Sequence, residues 1–340
     1  MKEHKEPLVI AKTIIQPGEA KIVRLPSPRL YTRSRIDIPV HVIRSEKPGP
    51  RLFVIAAIHG DEINGIEIIR RLLKMPELKK LKGTLITVPV ANVYGLINQS
   101  RYLPDRRDLN RSFPGNKRGS LAARLAYRLL NQIIVKCDYG IDLHTGSKHR
   151  RNLPQLRVHL EQSGTKELAE AFEAPVIIDA SIREGSLREA CRRLEIPLLV
   201  YECGEALRFS EFGIRIGLKG VLKVMAKIGM LPKITNEEKL SKLRPTIAHA
   251  TMWVRAPASG ILHQVKTFGS HIKKGELLAI ITDPLGTEER QVVSPVAGVI
   301  IGINNLPLIN AGDALFYIGC FESAEVVAAQ IDELHSFVEW

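Results

Sequence analysis

Arg51-Leu52-Phe53-Val54-Ile55-Ala56-Ala57-Ile58-His59-Gly60-Asp61-Glu62 is the stretch that decides how the chain is read. The unbroken apolar run up to Ile58 is the pattern of a central strand buried on both faces. After the turn, Asn64 is placed to cap a helix to about Lys74 with apolar positions Ile66, Ile69, Leu72 and Leu73. His59 and Glu62 therefore fall in a tight turn at the carboxyl end of a strand, where open α/β sheets place their ligand sites. An imidazole and a carboxylate three residues apart can point at one ion, and zinc takes such N and O ligands at about 2.0–2.2 Å.

Two ligands are too few, and Ile141-Asp142-Leu143-His144-Thr145-Gly146 offers the third. Of ten histidines, only His59 and His144 end an apolar strand and meet a glycine within two residues. His59, Glu62 and His144 are thus the expected metal ligands, with Zn2+ as cofactor. Zinc held by three protein ligands keeps a position for water and lowers its pKa to about 7.

Working outward, residues 7–50 read as a β-rich lead-in with a strand at Val40–Arg44, closed by the turn Lys47-Pro48-Gly49-Pro50. Thr84–Val88 is the next strand after the helix, so strand, helix and strand make a βαβ unit in a largely parallel sheet. Residues 92–119 read as a long polar loop carrying Arg101-Tyr102 and Asp108-Leu109-Asn110-Arg111. Asn110 and Arg111 can clamp a substrate carboxylate, and Arg101 can polarise a carbonyl. An Asp108–Arg111 ion pair is the plainer reading of the same residues. A helix over about 120–136 leads to the His144 strand. A second basic loop follows, with Lys148, His149, Arg150, Arg151 and the candidate substrate ligand Arg157. A short helix near 167–172, a strand at 175–179 and a helix from 185 to 194 come next. Pro197–Glu202 is another apolar strand, ending in the carboxylate of Glu202.

These motifs, in this order, resemble the aspartoacylase and succinylglutamate desuccinylase family, a branch of the zinc carboxypeptidase superfamily. The resemblance implies zinc on His59, Glu62 and His144, and Glu202 as general base and proton shuttle. It also implies Asn110 and Arg111 on the substrate carboxylate and Arg101 beside the oxyanion. It further implies a zinc-carboxypeptidase-like mixed sheet with helices on both faces. The spacer Leu103–Arg107 is longer than in better-known aspartoacylases, which leaves Arg106 and Arg107 as alternatives to Arg101. The expected activity is hydrolysis of the acyl group from a small anionic N-acyl amino acid. The alternative is a zinc carboxypeptidase acting on peptides.

Beyond a helix at 210–231 and a linker at 232–250, the sequence repeats itself. Ala256–Leu262 matches Ser294–Ile300, and Lys274–Ile280 matches Ala311–Tyr317. Such halves resemble the biotinyl/lipoyl barrel, a small all-β sandwich. The connection Thr282–Gln291 has no lysine, so a lid or assembly module is expected in place of a carrier. The domains read as 1–248, a zinc hydrolase; 249–320, the small barrel; and 321–340, an acidic amphipathic tail. The tail's stripe, Val327, Ile331, Leu334 and Val338, is expected to pack on this chain or a copy of it, which admits a homo-oligomer.

Length and composition agree. A chain of 340 residues exceeds one ordinary core. The net charge of +13 fits nucleic acid, a membrane surface or anionic small substrates, or simply a solvated surface, and charge alone does not choose among them. No nucleic-acid motif is present, and aromatics at 5% make a poor stacking platform, so nucleic acid is not expected as a partner. No apolar run reaches membrane-span length, and none follows the charged N-terminus as a signal peptide would, so no membrane partner is expected. The four scattered cysteines lack a CxxC and point to the cytoplasm.

Overall fold

The computed structural model describes residues 7–34, 36–232 and 245–338, with side chains to Glu333. The lead-in forms β1 (Leu8–Ile10), β2 (Thr13–Ile15), β3 (Ala20–Pro26) and β4 (Asp37–Arg44). Then come β5 (Arg51–Ala56), α1 (Asn64–Leu72), β6 (Thr84–Val88), α2 (Val93–Ile97), α3 (Leu121–Gln132) and β7 (Tyr139–Gly146). They are followed by β8 (Arg150–Val158), α4 (Thr165–Phe172), β9 (Val176–Asp179), α5 (Leu187–Arg193), β10 (Leu198–Glu205) and α6 (Glu211–Lys227).

Strands β6, β5, β7 and β10 lie side by side and parallel. Antiparallel strands flank them, β4 on β6 and β8 on β10, so the sheet is mixed. The run at β5 is buried on both faces as its pattern demands. Phe53 and Ile55 enter one core cluster with Leu125 and Leu129 of α3; Leu52, Val54 and Ala56 enter another with Ile69 of α1 and Ile214 of α6. Helices thus cover both faces. Parallel strands deliver their carboxyl ends to one edge, and that edge carries the site.

Three readings of the sequence are corrected. Of the basic stretch after His144 only Lys148 and His149 form a turn; from Arg150 it is β8, held between β10 on one side and β9 and a C-terminal strand on the other. Its Pro154 and polar residues obscured it, and those polar groups face a cleft. The 92–119 loop contains α2 and a 3-10 turn at Leu109–Arg111. Asn64 does not cap α1: Ile63 holds that position without a side-chain bond. The Asn64 amide instead donates to the Cys203 carbonyl and accepts from Ser210 N–H, each at 3.0 Å, which ties the His59–Glu62 turn to the end of β10 and the loop after it.

The C-terminal part contains β11 (Thr246–Ala248), β12 (Ala250–Arg255), β13 (Gly260–Gln264), β14 (His271–Ile272), β15 (Leu277–Thr282) and β16 (Glu289–Val293). It ends with β17 (Gly298–Asn304), β18 (Leu308–Ile309), β19 (Ala314–Cys320) and α7 (Ala324–Val338). Most of the proposed 232–250 linker lies outside the described residues, and its end forms β11, paired with β9. The repeat appears as equivalent pairs, β13 with β15 and β17 with β19. In each half a glycine lies against its partner strand. A Cβ on Gly260 would sit 2.4 Å from the Thr282 carbonyl oxygen, and one on Gly298 2.3 Å from that of Gly319. A four-stranded antiparallel sheet, β16-β15-β13-β18, packs on β12, β17 and β19 around Leu278, Leu315 and Ile318. Through β17 on β8, the second half joins the main sheet, which has thirteen strands among the described residues. Val327 and Ile331 of α7 pack on this same chain, against Val299 and Ile301; the Leu334 and Val338 side chains lie outside the description. Among the described residues no helix is long and apolar enough to cross a membrane.

Candidate metal centre and active-site cleft

The turn after β5 presents His59 and Glu62, and β7 carries His144 two residues before its end. Among the described residues this trio alone groups metal-type donors, its donor atoms lying within 4.8 Å of one another. Both imidazoles turn Nδ1 to the same carboxylate: His59 lies 2.7 Å from Glu62 Oε1 and His144 2.7 Å from Oε2. The Thr145 N–H donates to Oε2 at 3.2 Å. All three side chains are buried, at 3%, 2% and 5% exposure. The turn is held by close packing, since a Cβ on Gly60 would fall 1.9 Å from the Gly95 carbonyl carbon of α2.

The remaining ring nitrogens also face carboxylates. His59 Nε2 is 3.2 Å from Asp108 Oδ1, and His144 Nε2 is 2.8 Å from Asp142 Oδ2. A carboxylate behind each imidazole fixes the ring and raises its basicity, as around metal-ligating histidines. Burial opposes charge on His144, but Asp142 and Glu62 outweigh it and raise its pKa well above the ordinary value. His59 is raised likewise by Glu62 and Asp108 against burial. Burial also opposes ionisation of Glu62, yet His59 and His144 hold it well below the usual carboxylate range. Concentrated, oriented N and O donors of this kind fit a divalent metal.

Glu202 on β10 stands in register beside His144 of β7. Its Oε2 accepts from Asn152 Nδ2 at 3.0 Å and Gln155 Nε2 at 3.4 Å, and pairs with Arg157 Nε at 3.0 Å. Arg157 is thus brought to Glu202 itself. Arg101 forks onto Asp108 Oδ2 at 3.1 and 2.9 Å and reaches Glu62 at 3.3 Å. Asp108 therefore pairs with Arg101 and not with Arg111. Arg101 lines the cleft, whereas Arg106 and Arg107 do not. Asn110 Oδ1 accepts from the Leu187 N–H of α5 at 2.8 Å, and the residue lines the cleft.

Together these residues line one cleft of about 650 Å³. It also holds residues that no sequence motif singled out: Arg183 and Arg188 beside α5, and Thr251, Trp253 and Tyr317 from the C-terminal part. Burial and neighbouring Arg157 push Arg188 down to about 10, and its buried Nη1 has no hydrogen-bond partner. Burial lowers Arg111 as well, with Arg183 and Arg101 adding repulsion that Asp108 partly offsets. Arg188 donates to the Ser181 carbonyl and Arg111 to that of Asn110, and neither forms an ion pair with a carboxylate among the described residues.

A mixed α/β sheet that gathers ligand-type side chains and a carboxylate at one carboxyl edge, over an arginine-lined cleft, defines a hydrolytic enzyme. Residues 48–228, more than half of the chain, match the model of the succinylglutamate desuccinylase/aspartoacylase catalytic domain, and the chain belongs to that family of amide-bond hydrolases. It is 25% identical over 307 residues to the N-α-acetyl-L-2,4-diaminobutyric acid deacetylase of Halomonas elongata, covering 85% of this chain and 86% of the relative. The product-bound ectoine utilization protein EutE (DoeB) of Ruegeria pomeroyi shares the fold, with a TM-score of 0.81 at 24% identity over 92% of this chain and 99% of that one. A succinylglutamate desuccinylase/aspartoacylase from Rhodobacter sphaeroides does so with a TM-score of 0.79, also at 24% identity, over 89% and 95%.

Proposed function

We propose that the chain is a zinc-dependent deacylase of small anionic N-acyl amino acids. The observation that carries this is the shared cleft: the buried His59–Glu62–His144 cluster opens on the same space as Glu202 and the arginines. Two imidazoles and a carboxylate are a zinc donor set, and zinc there would supply a Lewis acid and a water of lowered pKa.

The protein's own groups do the rest. Glu202 takes a proton from the attacking water and returns it to the leaving amine. Arg101, held by Asp108 at the rim of the cluster, supplies positive charge where the amide oxygen becomes negative. Asn110 and Arg111 hold a substrate carboxylate, and Arg183 and Arg188 add charge on the α5 side. Of the cleft's four carboxylates, Glu62, Asp142 and Glu202 are engaged by His59, His144 and Arg157, and Asp179 accepts from the Leu160 N–H, while six arginines line the same space. An acidic substrate therefore suits the cleft better than one with a cationic side chain. The volume is that of a small-molecule site. Four free cysteines suit a reducing cytoplasm.

Purified protein, zinc-loaded, should be assayed on N-acetyl and N-succinyl derivatives of acidic, neutral and diamino acids, and on peptides. Turnover confined to acyl amino acids, best with acidic ones, is expected; preference for peptides would support a carboxypeptidase. Metal analysis of His59→Ala and His144→Ala should show zinc lost, and full occupancy in both would remove the assignment.

A further inference from the structure

We propose that the C-terminal β module is the brace that positions the Glu202 carboxylate, an inference that rests on Glu202 being the base of the proposed deacylase. Three side chains hold Glu202 Oε2, and all three, Asn152, Gln155 and Arg157, stand on β8. On its outer side the first part of β8 pairs with β17 of the module, Gly302 opposite Asn152 and Asn304 opposite Arg150, while Gln155–Val158 pair with β9. The contact is tight: a Cβ on Gly302 would lie 2.8 Å from Asn152 Oδ1 and 3.1 Å from Tyr317 Cβ.

A second route runs through Tyr317 of β19. Its hydroxyl accepts from Arg157 Nη1 at 3.5 Å and donates to Thr251 Oγ1 at 2.9 Å. Its ring lies beneath the Arg157 guanidinium, 5.3 Å from centroid to carbon. On its other side the ring stacks on Trp253 at 4.8 Å, and Arg150 of β8 sits 5.3 Å over Trp253. Arginines from β8 thus bracket an aromatic pair from the module, an arrangement that resists lateral movement of the strand.

A latch closes the assembly at the end of β10. Glu205, three residues beyond the base, accepts from Asn305 Nδ2 at 2.7 Å and from His149 N–H at 3.1 Å. The Asn305 N–H donates in turn to the His149 carbonyl at 2.8 Å. The module therefore grips both the strand that bears the base and the strand that orients it. A base displaced by about 1 Å can lose about 10²-fold in rate while the substrate still binds.

The test uses full-length Asn305→Ala and Gly302→Ala, neither residue lining the cleft, with kcat, KM, zinc content and hydrogen exchange measured on each. A brace predicts faster exchange in 150–158 and 198–205, kcat down about tenfold or more, and KM and zinc close to the parent. Should Gly302→Ala fail to fold, Asn305→Ala carries the test alone. Unchanged exchange overturns the proposal. A raised KM with unchanged kcat also overturns it, since the module would then be only a wall for substrate. If the parent cleaves no acyl amino acid, the deacylase reading falls, and exchange in 150–158 still decides whether the module braces β8.

Discussion

Glu202 and Arg111 face one cleft and are expected to fail differently. Glu202→Gln removes the proton acceptor but retains a side chain that fits beside Asn152 and Arg157. General-base catalysis is worth about 10²–10⁴-fold, so kcat should fall by that order with zinc retained. Near-native kcat would end the assignment. Arg111→Ala removes a positive charge from the cleft lining. It should raise KM for acidic substrates and leave kcat near the parent value; identical handling of acid and amide substrates would end the clamp. The residues behind these predictions were legible because each ends an apolar strand or sits in a compact motif. Arg183 and Arg188 were not, since nothing local distinguishes them from solvated arginines. Only the packing of the 110–113 segment against 185–187 brings them to the cleft: the Phe113 N–H donates to the Gly185 carbonyl, and Leu187 N–H to Asn110. Asp142 was visible in sequence beside His144, but its bond to the ring's far nitrogen depends on the side-chain alternation of β7.

At the scale of elements, α1 follows the His59–Glu62 turn and packs on α6, and a charged bridge joins the two helices. Arg71 donates from Nε to Glu67 at 2.7 Å and forks onto Glu211 at 2.8 and 2.7 Å. The hydrogen bonds from Arg71 and Arg215 hold Glu211 down at about 2, and Arg70 with Arg71 does the same for Glu67. A depressed carboxylate stabilises the fold above its ordinary value near 4.5, and that contribution is lost as pH falls toward about 2. The bridge is partly exposed, so Arg71→Ala should cost only about 0.5–1 kcal/mol at neutral pH. The gap in Tm between parent and variant should close below pH 4.5. A gap independent of pH would mean that Arg71 acts through packing of its stem. The helix itself was legible from its apolar spacing; its capping was not, because a buried Asn64 and a capping Asn look alike in sequence. Strand β8 was misread for a related reason. Its inward polar groups break the apolar pattern by which a buried strand is recognised, and β17, the outer neighbour of Arg150–Asn152, is supplied from the far end of the chain.

The repeat in residues 256–317 revealed a small β module but not its attachment, and that attachment governs how the whole molecule unfolds. A module at the end of a linker would unfold independently of the hydrolase part. Here β17 continues the main sheet, and one apolar cluster is shared: Leu153, Val176 and Ile178 pack with Val299, Ile301, Tyr317, Phe321 and Ile331. Removing residues 249–340 would strip Arg150–Asn152 of β8 of their β17 partner, leaving only Gln155–Val158 paired on that side with β9, and would expose that cluster. An unpaired edge beside fresh apolar surface invites association between chains. Residues 1–248 expressed alone are therefore expected to aggregate or to lose the cooperative transition, and to bind zinc without useful turnover. The full chain should unfold in one calorimetric transition, its calorimetric and van't Hoff enthalpies in agreement. Adding zinc should move that transition upward as one, because a ligand that binds only the native state stabilises everything that unfolds with its site. Two well-separated transitions, with only one responding to zinc, would show that the module is an independent passenger despite the hydrogen bonds that join it to β8.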